Sequence, residues 1–479
     1  MKNLANRKTL TIKKYPKVGQ KLKHIILALG VLWTGALYAE TLPQSRQEIT
    51  LSFAPIVRNA APSIVNLYGK PIVRQRFGLF NDPFFSHFFG RNFGNKRSLE
   101  ARSLGSGVIV HEEGIIVTNH HVISGAEDLR IVLSDRREFE AELLLADKRI
   151  DIAVLRIGKG KEKFPALPWR NSDEVEIGDL VLAIGNPFGL DQTVTSGIVS
   201  ALARDKIGVA EYEAFIQTDA PINPGNSGGA LVTMDGKLLG INTAIVSRSG
   251  GSVGIGFAVP SNLVRLVVAS ARKGGKVIRP WRGALFQEVT PELVAHLGLE
   301  KPKGAMIVQL EKSGPLQKAG LRVGDVITRL DGHNINKMAD LAYRFATGNL
   351  GERAKIVFSR DGKEKNTVFT FLAPPETPPR NERELSGRTP FSGLQIVNIN
   401  PALIEELRLN SLRKGVMILG VKQRSVALRV GFQRGDIIDE VNDRKIKSVQ
   451  ELVSLLEKTQ DKWEITILRR GQRITASFR

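Results

Sequence analysis

Cysteine is absent from the 479 residues. An exported chain without thiols has no disulfide staples, so its cores must be large enough to hold by burial alone. No stretch resembles a nucleotide-binding loop, which leaves ATP-driven chemistry out. Nucleic-acid motifs are missing too, although the formal net charge is +21. Part of that surplus is local: Lys2, Arg7, Lys8, Lys13, Lys14, Lys17, Lys21 and Lys23 precede Ile25 with no acidic residue among them. The remainder is spread along the chain, a general surface charge with some attraction for anionic membrane surfaces. A long hydrophobic run is also lacking. Ile25 to Ala39 is apolar, but as a helix it reaches only ~22 Å, short of the ~30 Å hydrocarbon core. Behind a basic leader this predicts a signal peptide, residues 1–39, cut after Ala39 with Leu37 in the third position back. An uncleaved anchor is the alternative, and either one means export.

Glycine is abundant, 46 residues or close to a tenth of the chain, against an average of about 7%. That favours turn-rich β structure. From 40 to 275, short apolar runs are punctuated by glycine, aspartate and proline, the pattern of two packed β-barrels. Ser261 to Lys273 reads as a closing helix. Seven phenylalanines between Phe77 and Phe93 predict a loop that avoids water, either folded on its own barrel or used as an oligomer contact.

The most informative stretch is Gly225-Asn226-Ser227-Gly228-Gly229. Glycine on both sides permits a sharp turn that aims the amides of Gly225 and Ser227 at one spot, an oxyanion hole for a carbonyl attacked by the Ser227 hydroxyl. Alone, the segment equally fits a glycine-rich hairpin with an incidental serine. A serine nucleophile needs an imidazole to take its proton and a buried carboxylate to orient that imidazole. His120-His121 ends the apolar run Ile115-Ile116-Val117, and Asp151 begins the run Ile152-Ala153-Val154-Leu155. Adjacent residues on a strand face opposite ways, which disfavours a metal pair at the histidines. The chain thus offers His, Asp and Ser in the order of the chymotrypsin-type double barrel.

With these segments in place, the chain resembles the HtrA (Do-like) serine proteases. The likeness is carried by Leu104-Gly105-Ser106-Gly107-Val108, Thr118-Asn119-His120-His121-Val122, Asp151-Ile152-Ala153, Gly185-Asn186-Pro187-Phe188-Gly189, Thr195 to Ser200 and Gly225 to Gly229. In the family pattern the catalytic histidine directly precedes the valine. The resemblance therefore implies a triad of His121, Asp151 and Ser227, with Gly225, Asn226 and Ser227 as the oxyanion loop. Where trypsin-like enzymes place an aspartate for basic side chains, six residues before the serine, this chain has Pro221, followed by Ile222. With Ile245 and Val246 these predict a narrow aliphatic slot. Asp219 reads as a structural carboxylate.

Beyond Arg279 the sequence repeats: Gly324-Asp325-Val326-Ile327 recurs as Gly435-Asp436-Ile437-Ile438, an offset of 111 residues. The repeat resembles circularly permuted PDZ modules, which capture extended C-termini by strand addition. In the first, the carboxylate-binding loop is expected at Ala284, Leu285, Phe286 and Gln287, where the pattern normally has glycine at 286 and an apolar residue at 287. In the second, the counterpart is Ser392-Gly393-Leu394-Gln395. The expected organisation is a mostly β chain: protease domain 40–275, first PDZ domain 279–374, a stiff, solvated proline-rich linker 375–389, and second PDZ domain 390–479. The resemblance implies a periplasmic, ATP-independent endoprotease acting on unfolded or misfolded proteins, with a holding activity and assembly as a trimer or multiple of trimers. No cofactor, metal or nucleic acid is expected. A holdase chaperone with secondary proteolysis, or an anchored regulatory protease, are the alternatives.

Overall fold

The computed structural model describes residues 52–71, 102–158, 160, 162–186, 192–204, 215–223, 225–245, 254–407, 409, 412–457 and 462–478. The leader, the phenylalanine-rich segment and Val246 lie outside the described residues. From Ile56 onward the chain forms one compact unit.

Seven strands come first: β1 Ile64–Pro71, β2 Arg102–His111, β3 Ile115–Thr118, β4 Ala126–Val132, β5 Glu138–Glu140, β6 Glu142–Asp147 and β7 Ile152–Arg156, ordered β5-β4-β1-β2-β3-β7-β6. Valine, isoleucine and leucine from alternate positions, among them Val65, Leu67, Ile109, Ile116 and Leu155, fill the core that this curved sheet wraps. Six more strands close a barrel: β8 Leu180–Gly185, β9 Thr193–Arg204, β10 Phe215–Thr218, β11 Ala230–Thr233, β12 Leu238–Ile245 and β13 Gly256–Pro260, joined in the order β10-β13-β12-β11-β8-β9. Helix α1 (Ser261–Arg272) follows, with Leu263, Val264, Val267 and Val268 on its buried face. Two registers position the site. Thr118 pairs with Ala153 across β3 and β7, so the residues leaving β3 meet those beginning β7. Ala230 pairs with Ile241 across β11 and β12, which carries β12 past residue 227.

The repeats form two further sheets. The first holds β14 Ala284–Glu288, β15 Ala305–Leu310, β16 Val326–Leu330, β17 His333–Asn334, β18 Arg353–Arg360 and β19 Lys363–Thr370, with helix α2 (Met338–Thr347). The second holds β20 Arg383–Glu384, β21 Leu394–Asn398, β22 Val416–Val421, β23 Ile437–Val441, β24 Arg444–Lys445, β25 Trp463–Arg469 and β26 Gln472–Phe478, with helices α3 (Pro401–Leu407) and α4 (Val449–Leu456). The repeated Gly-Asp now has a reason. Gly324 and Gly435 both sit at a φ of 93°, where a side chain is strained. Each following aspartate is buried and caps the turn: Asp325 accepts the Arg322 N–H and the Arg360 guanidinium, and Asp436 accepts the Gln433 N–H and the Arg469 guanidinium.

The segment read as a solvated linker is largely exposed, and it is also tied to the second module. Asn398 Nδ2 donates to the Pro379 carbonyl at 2.7 Å, and Asn400 Nδ2 to the Pro378 carbonyl at 2.9 Å. Glu376 is held by Arg380 and Asn400, and hydrogen bonding to Arg380 keeps its carboxyl below the usual range.

Contacts also join the modules. Arg279 meets Asp147 at 2.7 Å with both side chains almost wholly buried, 5% and 6% exposed. Glu405 on α3 accepts from the Arg282 guanidinium, while its backbone carbonyl accepts from Arg149. On α2, Tyr343 and Arg344 both donate to Asp173, at 2.8 and 2.6 Å. Burial and the Asp173 carboxylate push the Tyr343 hydroxyl well above the ordinary phenol value. Removing one partner of a buried ion pair strands the other charge, at ~3–5 kcal/mol, whereas replacing both is close to neutral. Arg279→Met is therefore expected to lower the urea midpoint strongly, and adding Asp147→Leu to restore most of the loss.

Candidate active site

β3 delivers Asn119, His120 and His121 into a single helical turn, His120–Ile123. Asp151 precedes β7 with a φ of 58°, a left-handed conformation that turns its side chain back towards that helical turn. The strain is offset by dense hydrogen bonding. The Asp151 carbonyl accepts from His120 N at 3.1 Å and from Asn119 Nδ2 at 3.0 Å. Its carboxylate accepts from His121 N at 2.9 Å and lies 2.5 Å from His121 Nδ1. Thr243 Oγ1 on β12 donates to the same carboxylate at 2.6 Å. A buried carboxylate left without such donors costs folding free energy. The carboxylate contacts the His121 ring and not that of His120, and burial holds the His120 imidazole below the usual histidine range.

Ser227 lies in the turn before β11. Its Oγ donates to the Thr243 carbonyl at 3.3 Å, so Thr243 touches the acid through its side chain and the serine through its backbone. The turn is stapled to the first sheet by Ser106, on β2. Ser106 N donates to the Ser227 carbonyl at 2.9 Å, and Ser106 Oγ donates to the Gly225 carbonyl. Gly228, at a φ of 82°, lies so close to this staple that a Cβ would fall 2.1 Å from the Ser106 carbonyl. Only glycine fits there. The Asn226 amide is used inside the turn, donating to the Asn223 carbonyl at 3.0 Å, and its side chain is buried. Within the expected oxyanion loop, Gly225 sits at a φ of 100°.

The other expected site residues fall differently. Ile222 is 1% exposed and packs in the second-barrel core beside Val199 and Ile216, with Gly256 against its terminal methyl, rather than on an open wall. Ile245 ends β12. Asp219 accepts from Ile198 N at 2.7 Å, a strand-anchoring role. Ala284, Leu285, Phe286 and Gln287 are not a loop but the first residues of β14, paired with β15. Ladder pairing and burial of Ala284 in the module's core decide this. Thr243 and Ser106 were not singled out by sequence reasoning, because each acts through contacts distant along the chain.

Comparison with known proteins agrees with this geometry. Residues 105–241 match the trypsin-like peptidase domain, and residues 254–369 and 417–469 each match the PDZ domain. The class is that of a trypsin-like serine peptidase carrying two PDZ domains. A "probable periplasmic serine endoprotease DegP-like" of Pseudomonas fluorescens is 38% identical over 455 residues, covering 89% of this chain and 93% of that protein. The protein of the same description from Halomonas elongata is 35% identical over 448 residues, covering 90% and 92%. Among solved structures, the "HtrA-type protease AlgW with decapeptide" is 42% identical, with a TM-score of 0.50, covering 68% of this chain and 99% of that one. The chain belongs to the HtrA-type, DegP-like family of serine endoproteases.

Thr243→Val keeps the shape of the side chain and takes one donor from a buried carboxylate. A hydrogen bond to a charged group is worth ~1.5–3 kcal/mol. The urea midpoint is expected to fall accordingly, and a midpoint equal to wild type would show that the Thr243 contact carries no weight.

Proposed function

We propose that this chain is an exported, ATP-independent endoprotease that cleaves unfolded proteins by acyl transfer through His121, Asp151 and Ser227. One observation carries the reading: the Asp151 carboxylate grips His121 Nδ1 at 2.5 Å and Thr243 at 2.6 Å, while Thr243 also receives the Ser227 hydroxyl. Gripping Nδ1 fixes the imidazole tautomer and leaves Nε2 as the base. The Ser227 hydroxyl turns from the Thr243 carbonyl to Nε2, gives up its proton and attacks the peptide carbonyl. The tetrahedral oxyanion is received by the amides of Gly225 and Ser227. His121 then protonates the leaving amine, and water repeats the sequence on the acyl-enzyme.

No carboxylate stands at Pro221 to draw a basic side chain, and Asp219 is engaged by Ile198 N. With no acidic partner at that position, the reading favours small aliphatic residues before the cleaved bond. Such residues are buried in folded proteins and exposed in damaged ones. Cleavage of unfolded chains in the periplasm, with a holding activity alongside, is the reading that joins this chemistry to the basic leader and the PDZ modules.

A fluorophosphonate probe is expected to label the wild type and not Ser227→Ala. His121→Ala is expected to lose at least ~10⁴-fold in casein hydrolysis, because the triad acts as a unit. His120→Ala should stay within about tenfold, since the Asp151 carboxylate holds His121 Nδ1 and not the His120 ring. Equal losses from the two histidine variants would refute the assignment.

A further inference from the structure

The outer edge of β21, beside α4, is where an extended peptide would add itself to the second PDZ sheet. In this chain that position is already taken by the chain itself. β20 pairs antiparallel with β21, Arg383 opposite Ile396 and Glu384 opposite Gln395. The Leu385 N–H donates to the Leu394 carbonyl at 2.8 Å, and the Leu385 carbonyl accepts from the Gly393 N–H at 2.8 Å. Gly393 belongs to the stretch matched to the carboxylate-binding loop. The Leu385 side chain is buried in the core of the module, together with Leu394, Leu452 and Leu455, the last two from α4. Further along the edge, the Arg380 carbonyl accepts from the Asn398 N–H at 2.8 Å. In the first module the equivalent strand, β14, is the outermost strand of its sheet among the described residues.

We propose that residues 380–385 are a resident ligand of the second PDZ groove, held in cis. Leu385 fills the pocket of a C-terminal aliphatic residue, and its carbonyl stands where a terminal carboxylate would accept from the loop amide. The proposal rests on the reading of both modules as peptide-capturing domains. It divides their work: the first module takes free chain ends directly, and the second takes one only when Leu385 leaves. The displacing ligand is an extended C-terminus with an aliphatic last residue, because it must satisfy the same pocket and the same amides. A free carboxylate makes a stronger, charge-assisted hydrogen bond than a peptide carbonyl. The resident segment has the advantage of its short tether, with an effective concentration of roughly millimolar. These opposed terms make the groove exchangeable rather than sealed.

The test uses the full chain with Ser227→Ala, so that the probe is not cleaved. The probe is a fluorescein-labelled peptide copying residues 378–385 and ending in a free carboxylate. Glu384→Cys with Gln395→Cys places two exposed thiols opposite each other in a chain that otherwise has none. Oxidation should close a disulfide between them and lock the segment in place. By fluorescence polarisation, Leu385→Ala is expected to bind the probe at least about tenfold more tightly than the oxidised pair, since removing the resident conformer raises the competent fraction. The reduced pair should lie between them. Binding at the first module is common to all forms; the oxidised pair, whose second groove is locked, gives that contribution, and it is subtracted from each isotherm before the second groove is compared. If Leu385→Ala fails to fold, the reduced and oxidised pair still decide the matter. Equal probe binding in both states, or thiols that do not cross-link, overturns the proposal. Failure of the protease reading would appear instead in fluorophosphonate labelling, which this binding measurement does not use.

Discussion

The protease half depends on satisfying one buried carboxylate between two β structures. Asp151 is withdrawn from water, and a buried carboxylate left without donors costs folding free energy. Three donors prevent that, two from His121 and one from Thr243. His121 leaves the first sheet and Thr243 rides on the second barrel, so the carboxylate is satisfied only when the two halves are docked in register. Ser106 makes the reciprocal link, reaching from the first sheet to the turn that carries Ser227. Docking, carboxylate satisfaction and placement of the serine are thus one cooperative event. A left-handed Asp151 backbone persists because its carbonyl and carboxylate are both over-determined by partners.

The same constraint extends towards the repeats. Asp147, four residues before Asp151, is held by the buried Arg279 guanidinium on the approach to the first PDZ sheet. Arg149, between them, reaches the Glu405 carbonyl on α3, and the Glu405 carboxylate holds Arg282 just before β14. The loop that presents the acid is therefore fastened to both modules through charges withdrawn from solvent, where such interactions are least screened by salt. A second fastening of the first module is made by Tyr343 and Arg344 of α2 on Asp173. Two separated attachments fix an orientation, which a single one would leave free to pivot.

How much of this was legible follows from where each signal lies in the chain. The stretches around His121, Asp151 and Ser227 are contiguous, and their residue types are dictated by turn geometry and chemistry, so they stand out in a linear reading. Thr243 sits in an ordinary strand sequence, and only the pairing of β11 with β12 reveals its contacts. Ser106 lay in a segment that carried the family likeness but had no stated role. The Gly-Asp repeat was visible at its 111-residue offset, yet its arginine partners were not. Arg360 and Arg469 are 109 residues apart, two short of that offset, so they fall out of register with the repeat. Proline content suggested a solvated linker between the modules. The segment is largely exposed, and its added attachment to the second module depends on Asn398 and Asn400, whose side chains accept no label of function from sequence alone.

The two modules also answer differently the problem every sheet edge presents. An exposed row of unpaired N–H and C=O groups is a template for another strand, useful for capture and hazardous for aggregation. The β14 edge of the first sheet runs directly behind Arg282 and Gly283, and it is flanked by the half-buried Phe286. The β21 edge is covered by a segment whose exposed residues, Arg383 and Glu384, are charged and whose single apolar anchor, Leu385, is buried. That pattern suits a strand meant to pair on one side only, since its own outer edge is short and carries charge of both signs. Covering the β21 edge from within leaves that strand no free row of N–H and C=O groups, whereas β14 is the outermost strand of its sheet among the described residues.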